Sequence, residues 1–362
     1  MDVDKIKEKL TEDHRPKPYS VSDLLSTSST LLNLALSGRV EGGFVKGKYF
    51  FFAGDSSSGK TFLALSILAE ASINPHFDGY RLIHDDVEGG ALMDIERYFG
   101  KKVAKRLEPP QGTIEKPLYS EDVEDFYCNV DDAFEEGKPF IYILDSQDAL
   151  DSRYAEKKFQ ELKKSVQKGT ESKGDYGDGK AKTHSGRLRR VCAKLRDTKS
   201  ILVIINQTRD NVGGGMFAPA TIYSGGRALR FYACAQIWST TKGKIKKTVH
   251  GKERQIGILS KVAVKKNRLT GKEWDVEVPI YFSYGVDDTG SCIDFLLAEG
   301  HWSKKKSGII IAKDFDGIEG QKDEVIKAIE EEDLQAEVKS IVQEVWKNVE
   351  AQCSIDRRPR YN

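Results

Sequence analysis

The middle of the chain alternates short apolar runs with longer stretches of helical periodicity. The apolar runs, each of strand length, are Tyr49 to Ala53, Tyr80 to His84, Phe140 to Leu144 and Ile201 to Ile205. The stretches with helical spacing are Thr61 to Ser72, Ala91 to Phe99, Ser120 to Glu136 and Ser185 to Arg196. Continuous apolar strands that alternate with crossover helices predict a parallel sheet covered on both faces.

Beyond Ile205 the pattern changes to alternating apolar and polar positions, separated by polar turns. The strands predicted there are Ala235 to Ser239, Gln255 to Lys265 and Trp274 to Phe282. Such alternation is typical of antiparallel strands with one exposed face. It therefore predicts a hairpin-rich, antiparallel extension of the same sheet.

Both ends of the chain carry helical patterns. Residues 1–37 predict a charged leading helix from Val3 to Leu10, a proline-containing link and a second helix that ends near Gly38. Asp323 to Glu350 has the periodicity of one amphipathic helix. We therefore predict an α/β fold with an N-terminal segment (1–37), a core with a mostly parallel central sheet (38–297) and a small α+β unit (298–362). The stretch from Lys168 to Thr183, rich in glycine and charge, predicts a mobile loop.

The composition is typical of an intracellular globular protein. The 362 residues include 57 Lys and Arg against 56 Asp and Glu, so a nucleic-acid surface has to be local. Basic and acidic residues number 15 and 7 in residues 151–200, 11 and 1 in 241–272, and 3 and 9 in 319–344. These runs indicate either a positive face or ordinary solvated surfaces. The chain has no apolar run of membrane-span length and no C-x-x-C pair among its five cysteines, which favours a cytoplasmic protein with reduced thiols.

The segment Gly54-Asp55-Ser56-Ser57-Ser58-Gly59-Lys60-Thr61 fits G-x-x-x-x-G-K-[ST] between a predicted strand and a predicted helix. Its glycines allow backbone N–H groups to curl around an anion, and the helix N-terminus adds partial positive charge. Lys60 can reach the outer phosphates of a nucleotide, and the Thr61 hydroxyl can bind Mg²⁺. The motif in this context predicts a nucleotide-binding loop, here called the phosphate loop (residues 54–61).

Carboxylates end two of the predicted strands. Asp145 follows the run Phe140 to Leu144, where it can hold a metal-bound water beside the nucleotide. Asp86 and Glu88 follow the run that ends at His84. Because parallel strands bring their carboxyl ends to one edge, either residue could orient or deprotonate an attacking water. On the residues alone, a solvated acidic turn is an equally good interpretation.

With these motifs the chain resembles the RecA family of DNA recombinases over roughly residues 30–300. The segments that carry the resemblance, in the family's order, are Gly54 to Thr61, Asp86 to Gly89, Leu144 to Leu150, Ile204 to Arg209, Ser224 to Ala233 and Val264 to Arg268. The earlier segment Leu32 to Gly38 is similar to that of the UvsX-type recombinases of phages. The resemblance implies a RecA-like P-loop ATPase core.

The resemblance also implies roles for individual residues. Glu88 matches the glutamate that activates water for ATP hydrolysis, and Gln207 matches the glutamine that senses the terminal phosphate. Lys266 and Arg268 match basic positions that reach the ATP held by a neighbouring protomer, although position 268 is Arg rather than Lys. A DNA-facing or solvated basic strand is the alternative for these two cations.

DNA contacts are implied for two loops, at about residues 151–185 and 208–223. The first is longer than in the family and rich in lysine, so it predicts contacts to the DNA backbone. The predicted DNA-binding residues are Arg187, Arg209, Gly213, Gly214, Gly215, Met216, Phe217 and Arg227. Met216 or Phe217 can insert between bases, or Phe217 can simply anchor its loop to the core.

The expected function is that of a DNA-dependent ATPase that uses ATP and Mg²⁺. It would form a homo-oligomeric helical filament on single-stranded DNA and exchange strands with homologous duplex DNA. A bacterial or phage-infected cytoplasm is the expected location, without a membrane partner. The alternatives are a ring-shaped helicase or translocase of the same fold and a non-catalytic mediator that loads another recombinase.

Overall fold

The computed structural model describes residues 19–167, 179–210, 221–222 and 224–358; the predicted leading helix lies outside these ranges. The helices are α1 (Thr30–Ser37), α2 (Lys60–Ile73), α3 (Ile95–Phe99), α4 (Lys101–Arg106), α5 (Val123–Glu135), α6 (Arg153–Gln167), α7 (Gly179–Thr198), α8 (Arg227–Tyr232), α9 (Asp288–Ala298), α10 (Lys322–Glu331) and α11 (Gln335–Gln352). Short 3₁₀ turns cover Val21–Asp23, Pro75–Phe77 and Gln147–Ala149.

The strands form one large sheet and several small ones. They are β1 (Leu24–Leu25), β2 (Phe44–Val45), β3 (Tyr49–Gly54), β4 (Arg81–Asp86), β5 (Leu107–Glu108), β6 (Gln111–Thr113), β7 (Lys116–Leu118), β8 (Phe140–Asp145), β9 (Ile201–Gln207), β10 (Arg209–Asp210), β11 (Thr221–Ile222), β12 (Ala235–Val249), β13 (Lys252–Asn267), β14 (Trp274–Tyr281), β15 (Gly285–Val286), β16 (Ser303–Lys304), β17 (Ile310–Ile311) and β18 (Glu319–Gly320).

The large sheet has the order β15–β14–β13–β12–β3–β9–β8–β4–β5. Neighbours from β12 to β5 are parallel, whereas β12 to β15 pair with one another in antiparallel fashion. The predicted α/β fold with a parallel sheet and an antiparallel extension is therefore confirmed. Strands that are adjacent in the sheet but distant in the chain place their carboxyl ends along one edge, where ligands bind in such folds.

Successive residues of the parallel strands face opposite sides of the sheet. Phe50 and Phe52 of β3 join a core on one face, which includes Leu63 of α2, while Phe51 packs on the other face with Leu188 of α7. All of these side chains are buried. Because both faces are covered, the strand needs apolar residues at every position, which explains the continuous apolar run.

The prediction of a loop over Asp151 to Ser185 was wrong, because helix α6 occupies residues 153–167 and helix α7 begins at Gly179. In α6, Tyr154, Phe159 and Leu162 recur at helical spacing on a stripe within a lysine-rich sequence, and they are 46%, 58% and 43% exposed. The many lysines concealed this amphipathic pattern. Residues 168–178, the remainder of the predicted loop, lie outside the described part.

Other helix limits also differ from the predictions. The stretch Asp323 to Glu350 is two helices, α10 and α11, because Asp333 between them adopts a left-handed φ of 54°. Helix α3 starts at Ile95 rather than Ala91, since the Asp94 side chain caps it by accepting from the Arg97 N–H. Helix α1 ends at Ser37 with Gly38 as its C-cap, which confirms the predicted end near Gly38.

The C-terminal part packs against the antiparallel extension. Its small sheet β16–β17–β18 and helices α10 and α11 follow α9. The ring of Trp346 on α11 lies 4.7 Å from the ring of Trp274 on β14. Within the described ranges, none of the helices combines the length and apolar character that crossing a bilayer requires.

Candidate active site

The phosphate loop joins the end of β3 to the start of α2. Gly59 precedes the helix with a left-handed φ of 89°, and a Cβ there would stand 2.6 Å from Ile280 Cδ1. A Cβ on Gly54 would stand 2.3 Å from the carbonyl oxygen of Ser239. Both positions therefore require glycine, and the loop closes around the N-terminus of α2, where an anion is favoured.

Hydroxyl groups fasten the phosphate loop to the antiparallel extension. Ser58 Oγ lies 2.7 Å from Ser239 Oγ of β12, and Ser260 Oγ of β13 donates to the Ser58 carbonyl at 2.9 Å. On the other side, the Thr208 hydroxyl donates to the Asp55 carboxylate. The loop is thus held from both flanks by residues of its own chain.

Lys60 is buried at the start of α2, and its Nζ donates to the Asp55 carbonyl at 2.6 Å. Burial lowers the pKa of this ammonium group, while the carboxylates of Asp145 and Asp55 oppose the shift. The cation is therefore desolvated in advance at the place where the motif predicts nucleotide phosphates.

Glu88 lies between the ends of β8 and β9. Gln207 Nε2 donates to Glu88 Oε1 at 2.7 Å, and the Ser146 hydroxyl donates to the same oxygen. The carboxylate of Asp86 instead accepts the N–H groups of Gly90 and Ala91 at 3.1 and 3.0 Å. Of the two carboxylates that the sequence left open, Asp86 ends β4 and shapes the turn, and Glu88 is the one that contacts residues at the ends of β8 and β9.

Asp145 ends β8 in a buried position. Its Oδ2 lies 3.8 Å from Nε2 of His84, and neither atom has a hydrogen-bond partner among the described residues. No group of three or more His, Cys, Asp or Glu in that part of the chain could hold a metal by itself. These donors fit Mg²⁺, which keeps waters and takes phosphate oxygens as ligands, with Asp145 and the Thr61 hydroxyl on the protein side.

Lys266 and Arg268 lie away from the phosphate loop of their own chain. Gln236 of β12 pairs with Lys266, whereas Ser239 of the same strand pairs with Gly54. Three residues of strand correspond to roughly 10 Å. Lys266 Nζ donates to the carbonyls of residues 230 and 231 at 2.7 and 2.9 Å, and Arg268 donates to the latter at 2.9 Å, so both cations bind the carboxyl end of α8.

The predicted DNA-binding residues fall into two groups. Gly213 to Phe217 lie outside the described residues, as does the side chain of Arg209, whose backbone pairs with Ile222 in β10–β11. Arg187 on α7 and Arg227 at the start of α8 are exposed. The pairing of β10 with β11 brings the two ends of the loop after β9 together next to the carboxyl edge of the sheet.

The sequence did not single out several polar residues beneath this edge. Buried Asp85 accepts from the N–H of Ser120 at 3.0 Å and from the hydroxyl of Tyr142 at 2.6 Å. Asn206 donates to the side chain of Gln147 at 2.8 Å. Asp85 and Asn206 could have been found from the sequence, because each is a polar residue within a run of buried strand residues. Buried polar groups need hydrogen-bond partners.

Comparison with known proteins gives the following similarities. The family model described as the RecA N-terminal domain matches residues 163–287, which include Gln207, Lys266 and Arg268. Protein RecA of Thermus thermophilus is 29% identical over 289 residues, which cover 78% of this chain and 74% of that protein. Protein RecA of Streptococcus uberis is 29% identical over 293 residues, which cover 77% and 68%. These matches support a relationship to the RecA family.

Proposed function

We propose that this chain is an ATP-dependent DNA recombinase. The observation that carries the proposal is the meeting of the phosphate loop, Asp145, Glu88 and Gln207 at one edge of the sheet. Beyond that edge the chain continues into helix α6 after β8 and into the second predicted DNA loop after β9. The similarity to RecA proteins favours DNA over other polymers as the partner.

In the proposed reaction, the phosphate loop and Lys60 bind ATP. Asp145 and Thr61 would hold Mg²⁺, which would neutralise charge on the phosphates. Glu88 orients the attacking water and accepts its proton as the water oxygen bonds to the terminal phosphorus. The bond from that phosphorus to the ADP oxygen breaks, which releases ADP and phosphate. Gln207, which donates to Glu88, exchanges that partner for a phosphate oxygen or water according to the nucleotide present.

The proposal assigns Lys266 and Arg268 to the ATP of a second copy. Their position, more than roughly 10 Å from the phosphate loop of their own chain, supports a role across an interface. Cations inserted from a neighbour stabilise charge on the transferring phosphate, as an arginine finger does. Repeated head-to-tail contacts of this type generate a helical filament when they do not close into a ring.

DNA is proposed to bind along the carboxyl edge of the sheet. Helix α6 there carries lysines and an exposed aromatic and apolar stripe, a combination that suits a single strand. Homologous duplex would then be tested by base pairing, so the protein needs no sequence-reading motif. The protein would work in the cytoplasm, where ATP and DNA are both available.

The first test is ATP turnover with and without single-stranded DNA at several salt concentrations. We expect strong stimulation that declines as salt rises, because backbone contacts release counterions. Turnover that is fast and indifferent to DNA would refute the proposal. Electron microscopy with DNA and a non-hydrolysable ATP analogue should show helical filaments; closed rings would instead support the helicase or translocase alternative.

A further inference from the structure

A cluster of amide and hydroxyl groups joins the chain ahead of helix α6 to the two ends of the second predicted DNA loop. Gln147 begins the 3₁₀ turn between Asp145 and helix α6, which occupies part of the first predicted DNA segment. Asn206 is the penultimate residue of β9, before the second loop, and Ser224 follows that loop. We call Gln147, Asn206 and Ser224 the amide bridge.

The contacts within the amide bridge are direct. Asn206 Nδ2 donates to Gln147 Oε1 at 2.8 Å and to the Ser224 carbonyl at 3.0 Å. Ser224 Oγ donates to the same Gln147 oxygen at 3.3 Å. Gln147 and Asn206 are both fully buried. One glutamine oxygen therefore ties the turn ahead of helix α6 to both ends of the second predicted loop.

The backbone after Ser224 is fitted against Gln147. Gly225 has a left-handed φ of 87°, and a Cβ there would stand 2.9 Å from Gln147 Oε1 and 3.0 Å from Nε2. Leu229 Cδ1, at 2.5 Å, and the Gln147 amide together fill the space in which a side chain at position 225 would lie. A shift of either partner has to move the other, because a packed interior transmits displacement.

The amide bridge runs beside the proposed sensor. Ser146 and Gln207 meet on Glu88, and the residues next to them in the chain, Gln147 and Asn206, meet in the bridge. The ends of β8 and β9 are therefore linked twice, once through Glu88 and once through Gln147 and Asn206. Asn206 and Gln207 share one peptide unit, so the two links are covalently adjacent.

We infer that Gln147 is a positioning residue that couples the nucleotide state at Glu88 and Gln207 to the placement of helix α6 and of the two chain segments that flank the second predicted DNA loop. This inference rests on the proposed function, since it concerns the same site. Proximity of the amide bridge to both sites does not by itself show coupling. Coupling means that the nucleotide and the DNA both shift the same conformational equilibrium, and this has to be measured.

The test is the ratio of the DNA dissociation constants measured with ADP and with a non-hydrolysable ATP analogue. Labelled single-stranded oligonucleotide and fluorescence anisotropy provide both constants for the full chain. In the unaltered protein the ratio tests the proposed function: a ratio of one refutes nucleotide-controlled DNA binding itself. In Gln147→Met, which keeps side-chain length but removes the bridging oxygen, we expect the ratio to fall about fivefold or more.

Two further variants separate coupling from general damage. Ile143→Val shortens a buried side chain of the same strand that makes none of the bridge contacts, and it should keep the ratio. Ser224→Ala removes the hydrogen bond from the Ser224 hydroxyl to Gln147, so it should reduce the ratio less than Gln147→Met does. If Gln147→Met does not fold, Ser224→Ala provides the test of the inference. An unchanged ratio in the folded bridge variants, or an equal loss in Ile143→Val, would overturn the inference.

Discussion

The two ends of the strands in the large sheet differ in what their side chains bind. At the carboxyl ends of β3, β4, β8 and β9, side chains meet one another, as Ser146 and Gln207 do on Glu88. At the opposite end, Lys266 and Arg268 bind backbone carbonyls at the end of α8. The first group is assembled beside the phosphate loop, whereas the second lies away from that loop. This difference supports the proposal that a second copy supplies the cations.

The largest expected effect comes from removing the cations. The double variant Lys266→Ala with Arg268→Ala should lower ATP turnover by about 10³-fold or more, since cations supplied across an interface contribute on that scale. Steady-state turnover with saturating DNA measures this. If instead the cations only hold α8, the loss should be accompanied by a lower melting temperature and should not be specific to turnover.

Mixing two inactive variants tests directly whether the cations act on the ATP of another copy. Protein with both cations replaced, mixed with Lys60→Ala protein, should regain activity that neither has alone. Some interfaces would then combine an intact phosphate loop from one copy with intact cations from the other. Recovery would be absent if the cations served their own chain, and it would also be absent in a protein that does not assemble.

The next effect concerns Glu88 at the carboxyl edge. Glu88→Gln should lower turnover by about 10²- to 10⁴-fold, because an amide cannot accept the proton of the attacking water, while ATP binding is retained. The matched control is Asp86→Asn, whose side chain holds the turn at Gly90 and should cost much less turnover. Equal losses in both variants would contradict the assignment of Glu88.

A smaller effect is expected for the buried support of this edge. Asp85→Ala should lower the free energy of unfolding by about 2–4 kcal/mol, since it leaves the donors of Ser120 and Tyr142 without an acceptor. Asp85→Asn should cost less, because the amide keeps one acceptor and the hydroxyls can reverse their role. Denaturant unfolding measures both, and equal costs would show that charge, not hydrogen bonding, matters there.

The same carboxyl predicts a pH dependence. Burial raises the pKa of Asp85, so the folded protein holds this proton more readily than the unfolded chain does. Its contribution to the free energy of unfolding is therefore fully present below the unfolded-state pKa and is lost as pH rises through the folded-state pKa. Asp85→Asn should remove that part of the pH profile.

The smallest effect concerns the surface of α6. Replacing Lys163 and Lys164 by alanine should weaken single-stranded DNA binding several-fold and reduce the slope of log affinity against log salt by about 1.4, at about 0.7 per phosphate contact. Lys327→Ala with Lys347→Ala, in the C-terminal part, removes the same charge and should leave the slope unchanged. A slope that responds equally to both pairs would show that net charge alone acts.

The parts of the molecule that the sequence predicted are those with local signals. Gly54, Gly59 and Lys60 mark the phosphate loop by spacing alone, and parallel strands bring Asp145 and Glu88 to one edge. The amide bridge had no such signal, because Gln147 and Asn206 are 59 residues apart and their contact depends on side-chain direction. Helix α6 was missed for another reason: its lysines favoured a loop while the apolar stripe was short.

The serine hydrogen bonds that hold the phosphate loop also connect it to the antiparallel strands. Ser58 shares hydrogen bonds with Ser239 and Ser260, which belong to strands β12 and β13. Strand β13 continues to Lys266 at its far end. A change in the shape of the loop during nucleotide exchange would therefore be passed to the strand that carries Lys266. In the proposed assembly, where Lys266 reaches the next subunit, neighbouring ATP sites would then not act independently.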